Sequence, residues 1–187
     1  MTGLRARFRA APDFEQLLAN VTKNADLWAA VWRRAVIGEE YRERVAAVPG
    51  TWHLLVLSEE WCGDAVNTVP VVAKLAALSP NLELRVLARD ENLDLMDAHL
   101  TGTSRSIPIV ILLDAEYRER AWWGPRPTVL QDSVSGEWQL LEKSSRYREA
   151  RMWYARDRGR TTLEEVVSML ERAGREEPPP SSAESPT

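Results

Sequence analysis

Hydrophobic positions change period several times along the chain. Between residues 12 and 49 the pattern is helical. Leu27, Trp28, Val31, Trp32, Ala35 and Val36 recur at the spacing that lines one helix face, with Arg33 and Arg34 off it. Gly38 interrupts this region, "EEYRERVAAV" resumes it, and Pro49-Gly50 closes it. The next stretch, "WHLLVLS" at 52–58, is short, continuous and apolar, as a strand buried on both faces should be. "AVNTVPVVAKLAALSP" then has the length of a crossover helix, with Pro70 inside to kink it. Leu82, Leu84 and Val86 alternate with polar residues and predict a second strand, and "ENLDLMDAHL" predicts a second helix. "IPIVILLD" and "YRERAWW" predict a hairpin that turns at Asp114-Ala115-Glu116.

These elements imply an α/β domain. The strand–helix–strand unit at its start should be parallel and right-handed. The two strands of the hairpin should be antiparallel, because so short a connection permits nothing else. After "WWGPRP" the pattern is helical from Thr128 to Arg156, with a break near Ser135-Gly136. Thr162 and Glu165 have the spacing of a capping box, predicting a last helix that runs to Arg172. From Gly174 onward the chain has too few apolar residues to fold and is expected to be disordered. The expected organisation is a helical extension at 1–49, a core at 50–130, C-terminal helices at 131–173 and a tail at 174–187.

Composition narrows the function. The 187 residues carry a formal net charge of -4, which argues against whole-molecule attraction to nucleic acid or anionic lipid. No apolar run approaches the roughly 18 residues that a membrane helix needs. The N-terminal arginines have no apolar stretch behind them, so no secretory signal is read there and a cytoplasmic location is the default. Most of the eight tryptophans should be partly buried in core or cleft walls. Cys62 is the single cysteine, so no disulfide can close within the chain. With only His53 and His99 beside it, neither a closed metal site nor a cofactor is expected, and neither histidine is expected to reach Cys62 as a catalytic base.

The chemistry centres on "SEEWCGDAVNTVP". Cys62 stands directly before the first helix of the α/β unit, and Ala65 fills the position where a second cysteine would complete a C-x-x-C pair. Pro70 lies eight positions after Cys62, Ile107-Pro108 opens the third strand, and Gly124 follows the hairpin. In order and spacing these features resemble the thioredoxin superfamily over about residues 50–130. They are most similar to a bacterial group with W-C-G-D-C or W-C-G-D-A motifs and an N-terminal helical extension. The resemblance implies a central mixed sheet of about four strands flanked by helices. It also implies a cis bond at Ile107-Pro108 facing the thiol, and a groove that takes extended substrate segments. Site residues implied in this way are Cys62, with Trp61, Gly63, Asp64, Ala65, Ile107 and Pro108 around it. The sequence departs from the family in two ways: Ala65 removes the resolving sulfur, and Val56 stands where the family has a buried aspartate.

Only a thiolate attacks a disulfide, and unpaired N–H groups at a helix start favour thiolate. An accessible, activated Cys62 is therefore expected, with Asp64 limiting how far its pKa falls. Trp61 should wall one side of the cleft. Glu59 and Glu60 read as a solvated loop, or as stand-ins for the missing aspartate. Without a second sulfur, a mixed disulfide on Cys62 must be released by an outside thiol, low-molecular-weight or protein. The leading expectation is a monothiol protein of thiol–disulfide exchange. The alternative is a non-enzymatic binding protein that uses the same groove. A weaker one is anion or RNA contact through the basic segment 143–160, where Tyr147, Trp153 and Tyr154 interleave with arginines. "GPRP" should end the hairpin and start a helix, since proline suits a first helical turn, and its Arg126 is an alternative candidate to hold a carboxylate near the cleft.

Overall fold

The computed structural model describes residues 3–176. Two strands carry the centre of the sheet. β1 (Trp52–Ser58) and β3 (Ile109–Leu113) are buried along their whole length, as their continuous apolar runs demand. β2 (Leu82–Ala88) alternates buried and exposed residues and forms one edge; β4 (Glu119–Trp123) forms the other. The strand order is β2-β1-β3-β4. β1 and β2 are parallel, with Val56 opposite Val86, while β1–β3 and β3–β4 are antiparallel. The expected α/β arrangement of a mixed four-stranded sheet flanked by helices is what the chain adopts.

At the hairpin, Asp114 replaces missing backbone partners. Its carboxylate accepts from the N–H groups of Glu116 and Arg118 and from the Arg118 side chain. Tyr117 takes a left-handed conformation there, with φ of 63°.

The N-terminal residues form four short helices rather than one region beginning at residue 12: α1 (Leu4–Ala10), α2 (Phe14–Asn20), α3 (Ala25–Arg34) and α4 (Glu39–Ala47). α1 was not foreseen. It docks through Phe8, which packs edge-on against His53 and beside Tyr117. Pro12 then accepts the Val86 N–H at 3.0 Å, pairing a donor on the β2 edge that would otherwise be open. Trp28 is fully buried, but α3 ends at Arg34, so Ala35 and Val36 leave the expected face, and Val36 is exposed.

α5 (Gly63–Ala77) is the crossover helix, with Pro70 buried inside it. The next predicted helix is reduced to a 3-10 turn at Arg89–Glu91 and α6 (Leu93–Met96). After β4 come α7 (Thr128–Ser135), a 3-10 turn at Glu137–Leu140, α8 (Lys143–Asp157) and α9 (Arg160–Arg175). The expected capping box of α9 does not form. Left-handed Arg158 and Gly159 start the helix earlier, so Thr162 lies inside it and is buried. Glu165 instead accepts from the Trp123 indole and the Thr128 N–H. α9 also continues through Gly174 and Arg175, past the expected start of the tail. Residues 177–187 of that tail lie outside the described residues.

Candidate functional site

The loop from β1 to α5 presents Cys62 as the N-cap of the helix. The Cys62 N–H donates to Glu59 O, and Cys62 O receives the Val66 N–H. Its Sγ accepts the Ala65 N–H at 3.5 Å and donates to the Ile107 carbonyl at 3.3 Å. The Ile107-Pro108 bond is cis, and so is Gly124-Pro125. Gly124 has a φ of +133°, and a Cβ there would collide with the Pro108 carbonyl oxygen. Glycine is therefore what lets the loop after β4 pass against the loop that faces the sulfur.

Cys62 is only 8% exposed, which corrects the expectation of an open, activated thiol. Burial pushes its pKa above the ordinary thiol value. The Ala65 N–H opposes this, the Asp64 carboxylate adds to it, and Arg126 opposes it further. The resting group is the neutral thiol, whose proton is donated to Ile107. A helix terminus lowers a thiol pKa only while the thiolate stays solvated; here desolvation outweighs the dipole.

Asp64 is held from two sides. Arg126 Nη2 lies 2.6 Å from Oδ2, and the Tyr154 hydroxyl donates to Oδ1 at 2.9 Å. The carboxylate near the cleft that Arg126 was a candidate to hold is thus the chain's own. Gln131 steadies Arg126 by accepting from its Nη1. Tyr154 is 6% exposed, and burial, then the Asp64 carboxylate, raise its pKa and keep it a donor. Its part in the site was missed in the sequence, where it read as one of three aromatics in a basic segment. Nothing in its own helix signals a partner 90 positions away.

Ala65 and Val56 are fully buried, and as alanine and valine neither supplies a second sulfur or a carboxylate. Gly63 has open space around it. Trp61 is 47% exposed and carries the Arg89 guanidinium over its ring at 5.5 Å. Arg89 also donates to Arg105 O, which ties the Trp61 loop to the segment ahead of Ile107. Glu59 and Glu60 turn away from the sulfur. The Glu60 carboxylate accepts from the Thr22 and Lys23 N–H groups and the Thr22 hydroxyl, and its carbonyl accepts from Trp28 Nε1. Glu59 accepts from the Asp90 N–H. Both acids fasten other segments to the motif loop.

His53 stacks on Tyr117, with Nδ1 at 3.1 Å from Asp114 O. His99 lies between Leu95 O and Glu119. Burial alone would lower the His99 pKa, but the hydrogen bond to Glu119 leads the opposing effects and raises it. Among the described residues no three His, Cys, Asp or Glu side chains group in a way that could hold a metal ion. None of their helices is long and apolar enough to cross a membrane. In the basic segment, Tyr154 points inward and Trp153 packs edge-on against it, leaving Tyr147 as its exposed ring.

Comparison with known proteins agrees with this architecture. No curated protein matches the chain. A crystal structure of a protein of unknown function from Pseudomonas aeruginosa aligns with a TM-score of 0.76 at 20% identity, covering 92% of this chain and 99% of that one. An HIV epitope-scaffold aligns with a TM-score of 0.73, also at 20% identity, covering 91% and 99%. At that identity the shared property is the fold, and its extent takes in the helical additions as well as the sheet. A family model described as Thioredoxin matches residues 11–145, most of the length, and the chain belongs to the thioredoxin family.

Proposed function

We propose that the protein performs thiol–disulfide exchange through Cys62 as a monothiol, on protein or low-molecular-weight disulfides, in a reducing cytoplasm. One observation carries the reading: the sulfur sits at the N-cap of α5, 3.3 Å from the Ile107 carbonyl. A disulfide-bearing segment laid along the Ile107 edge in strand-like fashion would meet the sulfur there.

The first step is transfer to solvent of the thiol proton that Cys62 now donates in its hydrogen bond to Ile107 O. The thiolate then attacks one sulfur of a disulfide R–S–S–R′. Its S–S bond breaks, the departing thiolate R′S⁻ takes a proton back from solvent, and Cys62–S–S–R remains. Ala65 cannot resolve this species. An external thiolate such as glutathione attacks the R sulfur, forms a new R disulfide and returns Cys62 as thiolate. Cys62 starts and ends reduced, and one disulfide has been exchanged for another.

A second reading, a non-enzymatic binding protein, is favoured by the burial and raised pKa of the thiol. The test is reduction of a glutathione mixed disulfide by the wild type and by Cys62→Ser. Turnover that disappears in Cys62→Ser supports exchange; equal rates overturn it. Ala65→Cys should add dithiol insulin reduction to a chain that lacks it, because residue 65 follows the sulfur by one helical turn. A folded Ala65→Cys protein with no insulin reduction counts for the binding reading.

A further inference from the structure

α8 has 15 residues, and Tyr154 is the only one of them that is buried. A helix of that length in a domain normally buries an apolar stripe. Here the inner face of "KSSRYREARMWYARD" is mostly polar and only half-buried, with Ala150 and Trp153 as its apolar members, and Tyr154 is the side chain that reaches the site. That side chain ends on Asp64, two residues from Cys62, on a carboxylate whose other oxygen is occupied by Arg126. Tyr154 and Cys62 lie close enough to interact electrostatically. Asp64 and Arg126 act on the sulfur electrostatically, and Cys62 acts on Tyr154.

We infer that α8 is a latch over the site: the Tyr154 hydroxyl, bonded to Asp64 and backed by Arg126, holds the helix closed and restricts access to Cys62. Opening breaks this polar contact and exposes the Tyr154 ring with the half-buried Trp153 beside it, but no continuous apolar stripe. A hydrogen bond to a carboxylate is strong enough to keep such a latch mostly shut, and weak enough to open without unfolding the domain. The latch also gives the buried thiol a route to a substrate. A disulfide partner that displaces α8 meets a sulfur returned to solvent, where the helix terminus favours thiolate. This last consequence rests on the exchange reading; the latch itself does not.

The test uses the full chain and two readouts that need no turnover: iodoacetamide alkylation of Cys62 at neutral pH, and amide hydrogen exchange resolved by helix. Tyr154→Phe keeps the ring and removes the hydroxyl. It should speed alkylation by roughly tenfold, the factor expected for a lost hydrogen bond to a charged acceptor. Exchange across 143–157 should accelerate by a similar factor while α9 keeps its protection. Tyr147→Phe, on the exposed side of the same helix, should change neither. An unchanged alkylation rate in Tyr154→Phe overturns the latch. Faster alkylation without faster exchange in α8 also overturns it, since the hydroxyl would then act by charge alone. So does equal loss of protection in α9, which would make the effect global. If these results support the latch while Cys62→Ser leaves mixed-disulfide reduction unaltered, the exchange reading falls and the latch stands.

Discussion

α8 and α9 are neighbours in sequence and nearly equal in length, at 15 and 16 residues, yet they are held by different physics. α9 buries Leu163, Val166, Val167, Met169, Leu170 and Ala173, a stripe at helical spacing, with Thr162 beside them. Its outer side carries Glu164 and Glu171, both bonded to Arg44 of α4. α8 buries Tyr154 alone and leaves Tyr147 and Met152 toward solvent. A continuous apolar stripe fixes α9 as part of the domain, whereas α8 is held mainly by one aromatic ring and its hydrogen bond to the site. Secondary structure alone would not separate them; what each helix takes out of water does.

The largest effect that separates the two helices should come from the core of α9. Leu170 is 2% exposed within the main cluster. Leu170→Ala should cost about 2–5 kcal/mol of unfolding free energy, from lost transfer energy and the cavity left behind. Urea denaturation measures it as a fall in midpoint at unchanged slope. A loss below about 1 kcal/mol would place α9 on the same footing as α8 and erase the contrast.

The same distinction explains what could be read in the sequence. β1 and β3 were legible because their apolar runs are continuous, and β2 because Leu82, Leu84 and Val86 alternate. The stripe of α9 was legible too, although its start was misplaced by a Thr-x-x-Glu spacing that the left-handed Arg158-Gly159 turn overrides. α1 escaped because Arg5, Arg7 and Arg9 surround its one buried anchor, Phe8, so no periodic face exists to detect. In the site, the position of Cys62 and its neighbours followed from local order. Its protonation did not, because burial is a tertiary quantity, set in part by Ile107 at 45 positions' separation. Nor did the partner of Asp64, which a polar helix far along the chain supplies.

A middle-sized effect is expected where α9 is tied to α4. Arg44 donates from Nε and Nη2 to Glu171 and from Nη1 and Nη2 to Glu164. Hydrogen bonds to Arg44 hold both carboxyls below their ordinary pKa. A carboxyl depressed on folding adds stability that is complete above its unfolded pKa and is lost as pH falls through its folded one. Arg44→Ala should therefore cost on the order of 1 kcal/mol at pH 7, since the group is a partly exposed network rather than a buried pair. The difference from wild type should begin to shrink as pH drops below the ordinary carboxyl value of about 4.5 and vanish as it falls through the depressed folded values, where both acids protonate. Urea midpoints for the two proteins at pH 7 and at low acid pH give the comparison. A gap that widens in acid would mean that Arg44 contributes by packing its stem, and that α9 does not depend on the ion pairs.

The smallest effect should lie on the outer side of α8. Tyr147 is 59% exposed, and its ring has the Lys143 ammonium 6.0 Å away, at the outer limit of a cation–π contact. Met152 is 36% exposed, and neither side chain joins the main apolar cluster. Tyr147→Ala and Met152→Ala should each shift unfolding free energy by no more than about 0.5 kcal/mol, the range of ordinary surface changes. The two should add when combined, because neither removes a partner of the other. Their near-neutrality would be informative beside Leu170→Ala, measured in the same urea series. Replacing α9's apolar residues empties a core, while replacing these outer residues of α8 leaves intact the Tyr154 anchor and its bond to Asp64. A loss of about 2 kcal/mol from either outer variant would show that α8 is packed as α9 is, and the helix could then not release Asp64 without exposing a second apolar face besides the Tyr154 ring.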